Sequence, residues 1–180
     1  MIKIEYSGAN YEVYKETKEV GGKPRTYEYV RSAPSVRGLV VRGKTIGLSK
    51  EFRHTLNKFD YRLPGGKVFE NLPHYKDNAG KDILPLAEAQ VKNELRQEAG
   101  VIANKVELLE IAPCGSYVIW DLYYFLVTDF KLGRSEQESG EVIENFKFYS
   151  FKEVKEMILS GDISESRTAL VLLKYIMKNQ

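Results

Sequence analysis

Leu63-Pro64-Gly65-Gly66-Lys67 and, further along, Glu94-Leu95-Arg96-Gln97-Glu98-Ala99-Gly100-Val101 decide how this chain reads. The first stretch is a tight glycine turn; the second is the end of an amphipathic helix with a glycine stop. At helical spacing Glu94 and Glu98 stand at i and i+4 and project from one face, and Gln97 sets a neutral amide oxygen beside them. Two carboxylates held close together repel unless a cation lies between them, and hard oxygen donors suit Mg²⁺. Chemistry on a diphosphate needs such a charge clamp. The plain alternative is a pair of solvated helix carboxylates; the flanking turn and stop favour the metal reading.

Pro85 opens this helix, where the first N–H has no partner to lose. Leu84, Val91, Leu95 and Ala99 form its buried stripe, and Gly100 is its left-handed cap. Before the turn the chain reads as strands. Residues 11–17 and 25–30 alternate around Gly21-Gly22-Lys23-Pro24, a hairpin pattern, while 35–41 and 45–48 are apolar enough for interior strands. Residues 106–111 and 119–127 follow as strands, and 134–144 reads as an acidic loop. Ser150-x-x-Glu153 is a capping box for a helix ending at Gly161. A last helix follows Ser164, with Ala169, Leu172, Leu173 and Ile176 facing inward.

A chain of 180 residues, 43% hydrophobic, suits a single domain with one core, 1-180. It holds no apolar run of about 18 residues and its start lacks a signal-peptide core, so no membrane span is expected. The single Cys114 excludes an internal disulfide and fits a cytoplasmic location; it reads as a small buried residue. Net charge is +2 with Lys and Arg scattered among Asp and Glu, a poor footprint for a nucleic-acid partner. His54 and His74 lack a partner at metal-ligand spacing and read as surface polar groups.

The turn and helix resemble the signature of the Nudix hydrolases, Gly-x5-Glu-x7-Arg-Glu-U-x-Glu-Glu-x-Gly-U, where U is aliphatic. Gly66 fits the opening glycine, Glu94 the Glu after Arg, Leu95 the aliphatic position, Glu98 the last Glu, and Gly100-Val101 the end. Asn93 stands where the pattern has Arg, with Lys92 beside it, and Gln97 stands for one Glu. The passage from Gly66 to Asn93 is thirteen residues longer than the pattern, and Leu72 holds the place of the Gly-x5-Glu carboxylate. Ile46-Gly47-Leu48-Ser49-Lys50-Glu51-Phe52-Arg53-His54 followed by Arg62-Leu63-Pro64-Gly65-Gly66 resembles the ADP-ribose pyrophosphatase branch, and so does the tail from Glu141.

That resemblance implies a Nudix fold: an α/β/α sandwich with a mixed β-sheet and an N-terminal antiparallel β extension. The extension (1-35) is expected at a homodimer interface, with 36-180 as the core. The implied activity is Mg²⁺- or Mn²⁺-dependent hydrolysis of a nucleoside diphosphate linked to another moiety, of ADP-ribose or nucleotide-sugar type. The alternative is a catalytically weakened nucleotide-binding or regulatory protein on the same fold, motivated by Asn93, Gln97 and the missing carboxylate. Implied metal contacts are Gly66, Glu94, Gln97 and Glu98. The base that takes the water's proton comes from the acidic loop, Glu141 first and Glu138 second. Arg53 and Glu51 stand where the branch contacts its nucleotide or phosphates, although a surface strand charge reads equally well. Arg62 replaces the branch's usual Glu and points to a more anionic substrate. Tyr29 is a stacking candidate, with strand packing as its default. The extra segment 71–81 reads as an excursion over the site, a lid or a tolerated long loop.

Overall fold

The computed structural model describes residues 1–135 and 143–180. β1 (Ile2–Ser7), β2 (Tyr11–Val20) and β3 (Lys23–Ser32) form an antiparallel meander, with Gly21 and Gly22 at positive φ in the second turn. β4 (Ser35–Arg42), β5 (Thr45–Arg53) and β6 (Lys58–Arg62) follow, then α1 (Leu72–Asp77) and α2 (Leu84–Ala99). The second half runs β7 (Val101–Ala103), β8 (Glu107–Ala112), β9 (Val118–Ile119), β10 (Leu122–Val127), β11 (Phe130–Leu132) and β12 (Ile143–Ser150). α3 (Phe151–Ser160) and α4 (Ser166–Lys178) close the chain.

The central sheet has the order β12-β5-β4-β10-β8, with β6 also paired to β5; a second sheet runs β1-β2-β3-β9. β4 and β10 are parallel, whereas β4–β5, β5–β12 and β10–β8 are antiparallel, so the sheet is mixed. Strand alternation assigns β4 to two cores. Val36 and Val40 pack with Val91, Leu95 and Phe125 on the α2 side; Leu39 and Val41 pack with Leu48, Val154, Leu172 and Ile176 on the α3/α4 side. Helix, sheet and helix pair make three layers. Among the described residues no helix is long and apolar enough to cross a membrane.

Three local expectations change. The buried stripe of α2 is Ala87, Val91, Leu95 and Ala99, every fourth residue, while Leu84 is only half-buried at the helix start. On α4 the buried positions are Thr168, Val171, Leu172 and Ile176; Ala169 and Leu173 flank that face. The apolar run 119–127 is two strands, β9 pairing with β3 and β10 with β4, because the Asp121 carbonyl turns to accept the Ser35 N–H at 3.0 Å.

β4 and β5 pair only at Val41–Ile46 and Arg42–Thr45. Beyond that they part, and β6 takes over the free edge of β5 from Ser49 to Arg53. The segment after β6 runs back along the vacated edge of β4. Val36 N–H donates to the Gly66 carbonyl (2.8 Å), Gly38 N–H to Pro64 (2.9 Å), and Val68 N–H to Pro34 (3.0 Å). The glycine turn is thus wedged into the sheet, and the parting of the strands opens the site.

Candidate active site

Glycine is required at Gly65, and at Gly66 it leaves room for a side chain of α2. Gly65 has φ +153, and a Cβ there would strike the Val36 carbonyl; a Cβ on Gly66 would strike the Glu94 carboxylate. That close approach locks the turn to α2. Gly65 N–H donates to Glu98 Oε2 at 2.8 Å, and Gln90 Nε2 donates to Glu94 Oε1 at 2.7 Å. α2 itself is placed by Leu95, fully buried against Gly38, where a Cβ would meet the leucine side chain at 2.7 Å. Its end is fixed by Gly100, in left-handed geometry at φ 63.

Glu94, Gln97 and Glu98 accordingly share one cleft of about 630 Å³ with the glycine turn. The Gly66 carbonyl, expected to face a metal, accepts the Val36 N–H with one lone pair and keeps another, and the turn also meets the carboxylates through Gly65 N–H and the Gly66 Cα. Among the described residues no three His, Cys, Asp or Glu side chains form a metal cluster. Two carboxylates and an amide oxygen on one wall are nonetheless a donor set that suits a single Mg²⁺, which characteristically takes one or two carboxylates and completes its shell with water and substrate phosphate.

The segment 71–81 is an anchored wall of this cleft. Asn71 caps α1 by accepting the His74 N–H (2.9 Å), Leu72 is fully buried, and its N–H donates to the Ala9 carbonyl (2.7 Å). Lys76 pairs at 2.7 Å with Glu12, which is fully buried and also holds Arg31 at 2.9 Å. His74 is exposed and lines the cleft, edge-on to Phe69.

A second cleft, of about 330 Å³, lies on the other side of the turn and shares Gly65, Gly66, Lys67 and Glu98 with the first. Three expected binding residues meet there. Glu51 Oε1 holds Arg53 Nη1 at 2.7 Å, and Glu51 Oε2 lies 3.7 Å from Arg62 Nε; Arg62 also reaches the buried Asp60 at 3.8 Å. The register explains the group: Ser49 faces Arg62 and Glu51 faces Asp60 across β5 and β6, so Glu51 and Arg62 are diagonal neighbours. Tyr29 is not among them. It stacks in an aromatic row on the N-terminal sheet, 5.3 Å from the Tyr14 ring and 6.4 Å from Tyr117.

Two residues of this cleft went unread in the sequence. Arg37, on β4, is only 9% exposed, and Ser49 is buried on β5. Burial holds the Arg37 guanidinium below its ordinary pKa and the neighbouring Arg62 lowers it further, against the pull of Glu98 and Glu165. Behind the cleft Arg167 lies 4.5 Å over the Trp120 ring and donates to the Trp120 carbonyl at 2.9 Å; Trp120 Nε1 donates to Ser35 at 3.1 Å. Cys114 is exposed, not buried, in the link between β8 and β9. Glu138 and Glu141 lie outside the described residues.

No protein-family model and no curated protein matches this chain. Among solved structures it is similar to one described as an ADP compounds hydrolase, at 18% identity and a TM-score of 0.73, over 100% of this chain and 93% of the other. At that identity the likeness shows the fold, and the mixed-sheet α/β sandwich of the Nudix type stands.

Proposed function

We propose that this chain hydrolyses the diphosphate of a nucleoside diphosphate linked to a second moiety, of ADP-ribose or nucleotide-sugar type, with Mg²⁺ or Mn²⁺. One observation carries the reading: the glycine wedge brings the carboxylates of α2 and the arginines of β4–β6 to opposite sides of one backbone turn, with Glu98 bordering both. The likeness to a hydrolase of ADP compounds supports the substrate class.

Glu94, Glu98, the Gln97 amide oxygen and the Gly66 carbonyl would hold the cation. When bound, it would neutralise charge on the diphosphate and lower the pKa of the attacking water. Gly65 N–H fixes the Glu98 carboxylate, so that ligand is oriented before substrate arrives. Arg53 and Arg62 bind the phosphate oxygens, for which the planar guanidinium fork is suited. Water attacks one phosphorus, a P–O bond of the anhydride breaks, and a nucleoside monophosphate leaves with a phosphorylated remainder. We assign Glu141, then Glu138, to take the water's proton. A homodimer through the N-terminal sheet belongs to the same proposal, supported by exposed Ile2, Ile4 and Tyr6 on β1.

Phosphate release, coupled to a phosphatase, from a panel of nucleoside diphosphate compounds with Mg²⁺ or Mn²⁺ tests the activity. Turnover that disappears in Glu98→Gln establishes it and names the substrate. No turnover on any compound, with one of them still binding and raising Tm, leaves a nucleotide-binding protein on this fold.

A further inference from the structure

We propose that Arg37, with the hydroxyls of Ser35 and Ser49, forms the floor of an anion subsite that receives a phosphoryl group of the ligand. The inference rests on the nucleotide reading above but not on turnover. Arg37 sits between Val36 and Leu39 in a central strand, a place where an uncompensated charge is costly to bury. Its hydrogen bond runs from Nη1 to the carbonyl of its own neighbour Val36, at 2.7 Å. Among the described residues no carboxylate lies within ion-pair distance of it. A guanidinium has five N–H donors, so most of this one's capacity is unused among the described residues.

Two hydroxyls beside it can also donate. Ser49 Oγ is buried with no hydrogen-bond partner among the described residues. Ser35 Oγ accepts from the Trp120 indole, which leaves its own O–H to give. All three line the same cleft, beside Arg53, Arg62 and Lys67 and with the carboxylates of Glu51, held by Arg53, and Glu98, held by Gly65 N–H, at its edge. Buried polar groups in a folded protein are ordinarily satisfied. Two neighbouring strands that place a guanidinium and two hydroxyls together, with only the Val36 carbonyl accepting from them among the described residues, are satisfied by an oxyanion brought from outside. A phosphoryl group fits: its oxygens are acceptors only, and it matches the guanidinium fork. That group is either part of the diphosphate itself or a phosphate monoester elsewhere on the ligand.

Titration calorimetry and thermal shift in EDTA, with inorganic phosphate, AMP, ADP and adenosine, test the subsite without a metal and without turnover. ADP should bind and raise Tm, and adenosine should not. Arg37→Met should keep or raise Tm in anion-free buffer, because a buried charge has been replaced by an apolar chain, and should weaken ADP binding about tenfold or more. Ser49→Ala should weaken it by about two- to fivefold with the fold intact. Phosphate and AMP binding as well as ADP would assign a monoester; ADP binding with neither of them would assign the diphosphate. Arg37→Met that binds ADP like the native chain overturns the proposal. So does Arg37→Met that loses Tm while its remaining folded fraction binds normally, since that is a packing role. Should Arg37→Met not fold, unchanged ADP affinity in Ser49→Ala overturns it. Absence of hydrolysis in the panel assay leaves this result standing.

Discussion

On the α2 side of Gly65-Gly66 the cleft wall carries Glu70, Glu94 and Glu98; on the other side it carries Arg37, Arg53 and Arg62. Two of the three acidic residues, Glu94 and Glu98, come from one helix at local spacing, where Glu98 accepts the Gly65 N–H and Glu94 the Gln90 amide. The cationic side is assembled from three strands, and two of its arginines share Glu51. One backbone turn therefore separates a surface that attracts a cation from one that attracts an anion. A diphosphate with its divalent partner needs both, a few ångströms apart, and the turn sets that separation more rigidly than any side chain could.

Perturbations should reach one side or both in a set order. Leu95→Ala is the largest, because it removes the contact seating α2 on Gly38. It should cost about 2–5 kcal/mol in chemical denaturation and impair both sides together. Gly66→Ala should break the symmetry. Its methyl displaces the Glu94 carboxylate, so Mg²⁺ affinity by calorimetry should fall about 10- to 100-fold while metal-free ADP binding changes little. Arg53→Ala should act only on the cationic side, raising KM about tenfold with Mg²⁺ affinity unchanged, because Arg62 still holds Glu51. Gln97→Glu should sharpen the acidic side, tightening Mg²⁺ by about two- to tenfold.

The smallest effect lies behind the cationic side. Burial, the strongest influence on Glu165, pushes its pKa up, but hydrogen bonds from Arg167 and Thr168 together outweigh it and hold the carboxyl below its ordinary 4.5. A carboxylate depressed in the fold stabilises fully above that ordinary value, and the contribution is lost as pH falls through the lower folded value. Tm measured from pH 6 down to about 3 should therefore fall less steeply in Glu165→Gln than in the native chain.

The acidic side was legible because its chemistry is local: a four-residue spacing, a glycine turn and a glycine stop. The fold class was legible from the resemblance of the turn and helix to a known signature, while alternation and the apolar runs placed the strands. Size misled at Leu84, where the period counted back from Val91 gives Ala87. α1 is too short for periodicity, and its stability comes from the Asn71 cap and from Glu12, sixty-four residues from Lys76. Arg37 left a signal, a lone charge inside an apolar strand. Ser49 left none, since its burial depends on where β4 and β5 part. Tyr29 followed strand packing, its default.

Because the Val36 and Gly38 amides are bonded to the glycine turn and not to a neighbouring strand, they keep time for the site. Their exchange with deuterated water requires the wedge to lift, whereas the β10 edge of the same strand is closed by regular pairing. Two backbone protons thus report directly how often the two clefts come apart, with no substrate, no label and no knowledge of what is cleaved. Any ligand that seats across the turn should slow both.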